Sequence, residues 1–160
     1  MNNTAKLALP VTPLSGSLVR ARWSTRVQFA SLGILSGAWG AHVPSIKQHF
    51  ALTEVSLSVV LLFVALGVLF SLMFVGRVVE RLTARGAALI GGLLISAALA
   101  AMLHAPGFVL LLPIAFILGA SMSLFDVSIN ADGTELEHVG GKPIMSNLHG
   151  MFSAGGMAGA

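Results

Sequence analysis

Asp126 and Asn130 are the side chains in this sequence whose type and spacing best suit chemistry. Asp126 is the only acid within an apolar run long enough to cross a bilayer. A carboxylate there costs about 2.5–3.5 kcal/mol on insertion scales, and such groups face a cavity or partner and mark ion or proton paths. Asn130 follows four residues later, so the two share one helical face. The pair suits proton coupling, with Asp126 as the titrating group and Asn130 as a substrate ligand. A second reading stays open, because Asp126 lies four residues from the expected inner end of its helix and Asn130 lies at it. Both then serve as helix-end polar residues reaching interfacial water. His149, set among small and apolar residues, suits a substrate contact or a hydrogen bond between helices. Trp39 and His42 are three apart on one face. They suit substrate binding or, for Trp39, packing and, for His42, an interfacial position.

Other chemistries find little footing. The chain has no cysteine, which excludes disulfides, thiol catalysis and thiolate metal sites. Its five histidines have no acids at ligand spacing, so no metal site is expected. No nucleophile, histidine and acid converge, and no phosphate-cradling loop is present. Neither an enzyme nor a cofactor-binding protein is expected. Membrane-embedded hydrolysis is the least favoured of three function classes, behind transport and a small structural or assembly role.

The elements that must position these residues are apolar helices. Of the 160 residues, 56% are hydrophobic and 9% charged, against about 25% charged in soluble domains. An all-α, polytopic helical membrane protein follows. The net charge of +3 does not point to nucleic acid, since the cations sit at the ends of apolar runs rather than in one patch. Helices are predicted over about 25–43, 54–75, 86–103 and 108–130. A fifth, over 144–160, stops unfinished. Residues 1–24, with two prolines, a glycine and several cations, are expected to form a disordered cytoplasmic tail. Pro44 is expected to end the first helix, Thr53 or Ser56 to cap the second, Pro113 to kink the fourth, and residues 131–143 to form a polar loop. Gly33 and Gly37 form a small-x-x-x-small pair for close helix packing. Gly91 and Gly92 are placed at another helix contact.

Residues 76–85 form a short charged hinge between two uncharged runs and hold three arginines and one glutamate. Arginine-rich short loops stay on the cytoplasmic side. With that loop inside, eight cations lie on the inner side and Lys47 alone outside, which places the N-terminus in the cytoplasm.

Gly76, Glu80, Arg81 and Arg85 resemble the loop between helices 2 and 3 of the major facilitator superfamily, whose pattern is Gly-x-x-x-Asp-Arg-x-Gly-Arg-Arg/Lys. Here Glu80 replaces Asp, Thr83 stands at a usual Gly and Ala84 at a usual Arg. The stretches at 37–47, 126–131 and 142–153 resemble a YbjJ-like branch, distantly similar to fucose-type permeases. In those permeases the acid at the place of Asp126, with an Asn four residues on, is the protonatable group. They also carry a second acid late in helix 1, where this chain has none near Gly40, which argues against the fucose-type coupling scheme and against a sugar substrate. The resemblance implies the N-terminal half of a major facilitator fold, in which two six-helix halves rock around a midplane site. It implies a secondary active transporter of a small solute in the bacterial inner membrane, working with protons and with a missing C-terminal half. Gly76, Glu80, Arg81 and Arg85 would then be the conformational-switch loop.

Overall fold

A computed structural model describes residues 16–160 of the chain. Five helices follow one another: α1 (Gly16–His49), α2 (Glu54–Leu72), α3 (Val75–Leu103), α4 (Phe108–Gly140) and α5 (Met145–Gly159). Their apolar composition and the near-continuous helix bear out an all-α, polytopic membrane protein. α2, α3 and α4 are each long and apolar enough to cross a bilayer. α5 has only 15 residues, and α1 is more polar along its length.

The helices pack in pairs, with α1 against α5, α3 against α4, and α2 against α4. Small residues set two of these contacts. A Cβ on Gly33 would strike the Phe152 carbonyl, and one on Gly37 the Gly156 carbonyl. On the facing helix, Gly155 abuts Ala30 and Gly159 abuts Ile34 in the same way. Gly67 of α2 abuts the Phe116 carbonyl of α4, and Gly119 of α4 abuts the Val64 carbonyl of α2, in the same way. Close backbone approach replaces hydrophobic burial as the driving term where lipid is as apolar as leucine. Gly91 and Gly92 pack on Phe125, as their position suggested. Phe29, Ile95, Met102, Leu111, Leu118, Ile129 and Leu148 fill the interior.

Several boundaries differ from the sequence expectation. The expected tail lies outside the described residues up to residue 15, but residues 16–24 belong to α1. Their helix is held by packing: Arg22 and Thr25 are buried, and Leu18 and Ala21 rest on the core. Pro44 does not end α1. The helix runs through it, giving up the one backbone bond a proline cannot donate. It stops where Ala51 turns left-handed at φ 48°, and Lys47 pairs with Glu54 across the turn. Thr53 caps α2 as expected, accepting from the Ser56 amide at 3.1 Å. Residues 131–140, expected as loop, continue α4, because Asp132, Gly133 and Leu136 carry its buried face onward.

The charged hinge at 76–85 is also mostly helical. α3 begins at Val75 and is interrupted only at Thr83, with φ 64° and ψ 157°. That region is essentially reserved for glycine, and a threonine held there costs about 1–3 kcal/mol. The Thr83 hydroxyl compensates in part by accepting from the Gly86 amide at 3.3 Å. Thr83→Gly removes the strain and forfeits a cap that glycine replaces at a loss of a few tenths of a kcal/mol. It should raise the unfolding midpoint in detergent by roughly 2–6 °C. Thr83→Val, stiffer at Cβ, should lower it. A midpoint unchanged by Thr83→Gly would show that the backbone there is not strained.

Candidate functional site

Two polar groupings interrupt the apolar packing. The first lies on the uncovered face of α4. The Asn130 side-chain amide donates to the Asp126 carboxylate at 3.1 Å and to its backbone carbonyl at 2.8 Å. Thr134 continues the face, its hydroxyl donating to the Asn130 carbonyl at 2.9 Å. Asp126, Asn130, Thr134, Glu135 and His138 line an open groove of about 650 Å³, with the small Val127 and Ala131 between them. The opposite face of α4 holds Phe125, Ser128 and Ile129 in the interior. The helix therefore separates a packed side from an open polar one along more than three turns.

His149 of α5 lies within electrostatic range of Asp126 but does not line the groove, and its ring centre lies 5.5 Å from that of Phe29 on α1. Asp126 and Asn130 are bonded to each other, and His149 stands apart on α5 within electrostatic range of the carboxylate. Trp39 and His42 are not part of this grouping. They lie roughly 15–20 Å further along α1 than Phe29, at 1.5 Å per residue. Trp39 packs against the core. His42 bonds its own helix, with Nδ1 2.8 Å from the Ala38 carbonyl. It lines a separate apolar cavity of about 150 Å³ with Ile46, Leu99 and Met102.

The second grouping joins α1, α3 and α4. Asp132 is 7% exposed. The Thr25 hydroxyl donates to Asp132 Oδ2 at 2.6 Å and lies 3.1 Å from the Ala21 carbonyl. Arg85 Nε donates to Asp132 Oδ1 at 3.3 Å, just beyond the Thr83 break. A cleft of about 590 Å³ opens beside this node, lined by Leu18, Thr83, Arg85, Glu135 and Val139 among others. Of the residues singled out at the hinge, only Arg85 finds an ionic partner among the described residues. Gly76, Glu80 and Arg81 are exposed on the first segment of α3.

Asp132 and Thr25 escape a reading by hydropathy, because Asp132 begins the charged stretch that ends the apolar run. A periodic signal was available: Phe125, Ser128, Ile129, Asp132 and Leu136 recur at three- and four-residue steps, the spacing of one helical face.

The fold and these polar groupings define an integral, all-helical membrane protein with a polar face built into one span. The chain is similar to proteins named as transporters. It is 35% identical over 128 residues to an uncharacterized transporter of Sinorhizobium fredii, a match covering 80% of this chain and 34% of that protein. It is 30% identical over 139 residues to an uncharacterized MFS-type transporter of Yersinia pestis, covering 86% of this chain and 36% of the relative. It is 30% identical over 132 residues to membrane protein MosC of Rhizobium meliloti, covering 82% and 32%. The chain spans about a third of the length of each relative. No family model and no solved structure matches it.

Proposed function

We propose that this chain forms the N-terminal part of a secondary active transporter of the major facilitator type, moving a small solute with proton coupling through Asp126. The observation that carries the reading is the bonded pair of Asp126 and Asn130 on the uncovered face of an apolar, span-length helix, with His149 of α5 within electrostatic range. A carboxylate in that setting has a cost that only a functional or paired role offsets. Similarity to three membrane proteins, two of them named transporters, supports transport over enzymatic or structural roles. The remaining two thirds of such a carrier would supply the second wall of the groove.

In this reading the N-terminus is cytoplasmic and the host membrane is the bacterial inner membrane, in keeping with the charge distribution. Solute binds near the midplane between two halves. Asp126 loads a proton when the groove opens to one side and releases it on the other. Asn130 holds the carboxyl in place. Coupling arises because the loaded and empty carriers differ in which rocking step they permit. The hinge from Gly76 through Glu80 and Arg81 to Arg85 controls the rate of that step.

The test uses proteoliposomes of the longer carrier with a pH-sensitive dye inside. A panel of small neutral, acidic and basic solutes is added one at a time. At least one should drive a saturable change of internal pH that protein-free vesicles do not show. A panel without any such response, while labelled solute still moves across the membrane, would replace proton coupling with facilitated diffusion.

A further inference from the structure

We propose that the N-terminal end of α1, together with the α4–α5 turn, binds the phosphate headgroup of one anionic phospholipid. α1 carries Arg20, Arg22 and Arg26 and no acid anywhere along its length. Arg22 is 9% exposed. Its Nε and Nη2 are buried without a hydrogen-bond partner among the described residues. These are neighbouring donors of one planar fork, matched to two oxygens of a phosphate. A buried guanidinium with idle donors is costly, so a ligand that fills them is favoured.

Tertiary packing gathers further cations around Arg22. Its guanidinium is seated against Gly140, where a Cβ would collide with Nη2. That contact places the end of α4 and the exposed Lys142 beside α1. The cover over Arg22 is a helix end finishing in Gly140 and Gly141, with Gly141 left-handed at φ 58°. A headgroup reaches the donors by displacing this short end rather than a packed core. Arg26 uses Nε on Asn147, at 2.8 Å, and keeps its other nitrogens. Glu137, the acid nearest this turn in sequence, is engaged in accepting the Ile144 and Met145 amides at 2.7 and 3.0 Å.

The surroundings favour a lipid over a free anion. Trp23 is 59% exposed and has the Arg26 guanidinium 4.9 Å above its ring. Val19, Trp23 and Val27 are all exposed and follow at four-residue steps, so they form one apolar stripe beside the cations. An amphipathic aromatic next to arginines is the chemistry of the headgroup level, and the stripe suits an acyl chain.

The test uses this chain with Trp39→Phe, so that Trp23 is the sole tryptophan. It is reconstituted in phosphatidylcholine vesicles containing a minor fraction of brominated phosphatidylglycerol or brominated phosphatidylcholine. Bromine quenches the tryptophan only at contact range. Phosphatidylglycerol should quench several-fold more strongly at equal low mole fraction. The exposed variants Arg20→Gln and Lys142→Gln should each weaken that preference. Arg22→Lys, which keeps the charge and loses the fork, should weaken it more than either. Equal quenching by the two lipids would overturn the proposal. So would a preference left intact by Arg22→Lys, since attraction would then be diffuse. If inorganic phosphate abolishes the preference where sodium chloride of equal ionic strength does not, the site takes a free anion and the lipid assignment fails.

Discussion

Asp126→Asn should abolish proton-driven accumulation of solute while leaving exchange across the membrane intact. One pH unit is worth about 1.4 kcal/mol per proton, so a carrier moving one proton per solute reaches up to ~10-fold accumulation on that gradient. The variant should fall to about equal concentrations on the two sides. Asparagine keeps the size of the side chain and can still pair with the Asn130 amide, which now donates to Asp126 at 3.1 Å. Local geometry therefore survives while titration is lost. Asp126→Glu should recover part of the accumulation, because the carboxyl remains with a longer reach. The measurement is uptake into proteoliposomes of the longer carrier, with and without an imposed pH gradient. Full accumulation by Asp126→Asn would sink the coupling role and leave Asp126 as a polar residue of the helix face.

The second large effect concerns the Thr25–Asp132–Arg85 node, and it is asymmetric. The Asp132 carboxylate is buried, whereas the Arg85 side chain is about half exposed. Removing the arginine leaves a charge in the interior whose remaining partner among the described residues is the Thr25 hydroxyl. Breaking a fully buried ion pair in this way costs about 3–5 kcal/mol. The exposure of Arg85 reduces that to roughly 2 kcal/mol. Removing the acid is milder: Arg85 turns to water, and Thr25 falls back on the Ala21 carbonyl, 3.1 Å away. Arg85→Gln should therefore lower the unfolding midpoint by roughly 4–8 °C and Asp132→Asn by less than half of that. The double variant should be more stable than Arg85→Gln alone, since it leaves no unpaired buried charge at this node. The measurement is thermal unfolding of the four proteins in one detergent. A double variant no better than Arg85→Gln would mean that the ion pair does not govern stability here. The node ties the N-terminal end of α1 to α3 and α4 beside the Thr83 break, so in a working carrier the same variants should alter turnover more than solute affinity.

The apolar runs made the helices legible, and with them the membrane. An uncharged stretch of span length has only one low-energy form in lipid, because every backbone polar group must be bonded within its own segment. The start of α2, the later part of α3 and the start of α4 at Phe108 followed directly, whereas α2 ends at Leu72 rather than at 75, where α3 already begins. The Asp126–Asn130 contact was legible for the same local reason: four residues on a helix is one turn, whatever surrounds it. The glycine pair at 33 and 37 announced a close contact but could not name the partner.

Tertiary structure decided what depends on residues far apart in the chain. It set Gly33 and Gly37 against α5, placed His149 within electrostatic range of Asp126 and left Trp39 and His42 elsewhere. It kept residues 16–24 and 131–140 helical although their sequences read as tail and loop, since Leu18 and Leu136 pack on the core and Thr25 is bonded to Asp132. It also held Thr83 in a conformation its side chain disfavours. Asp132 shows the reason most plainly. Its role rests on Thr25, 107 residues away, and on Arg85, 47 residues away. Hydropathy averages over neighbours in sequence, whereas solvation of a buried charge depends on neighbours in space.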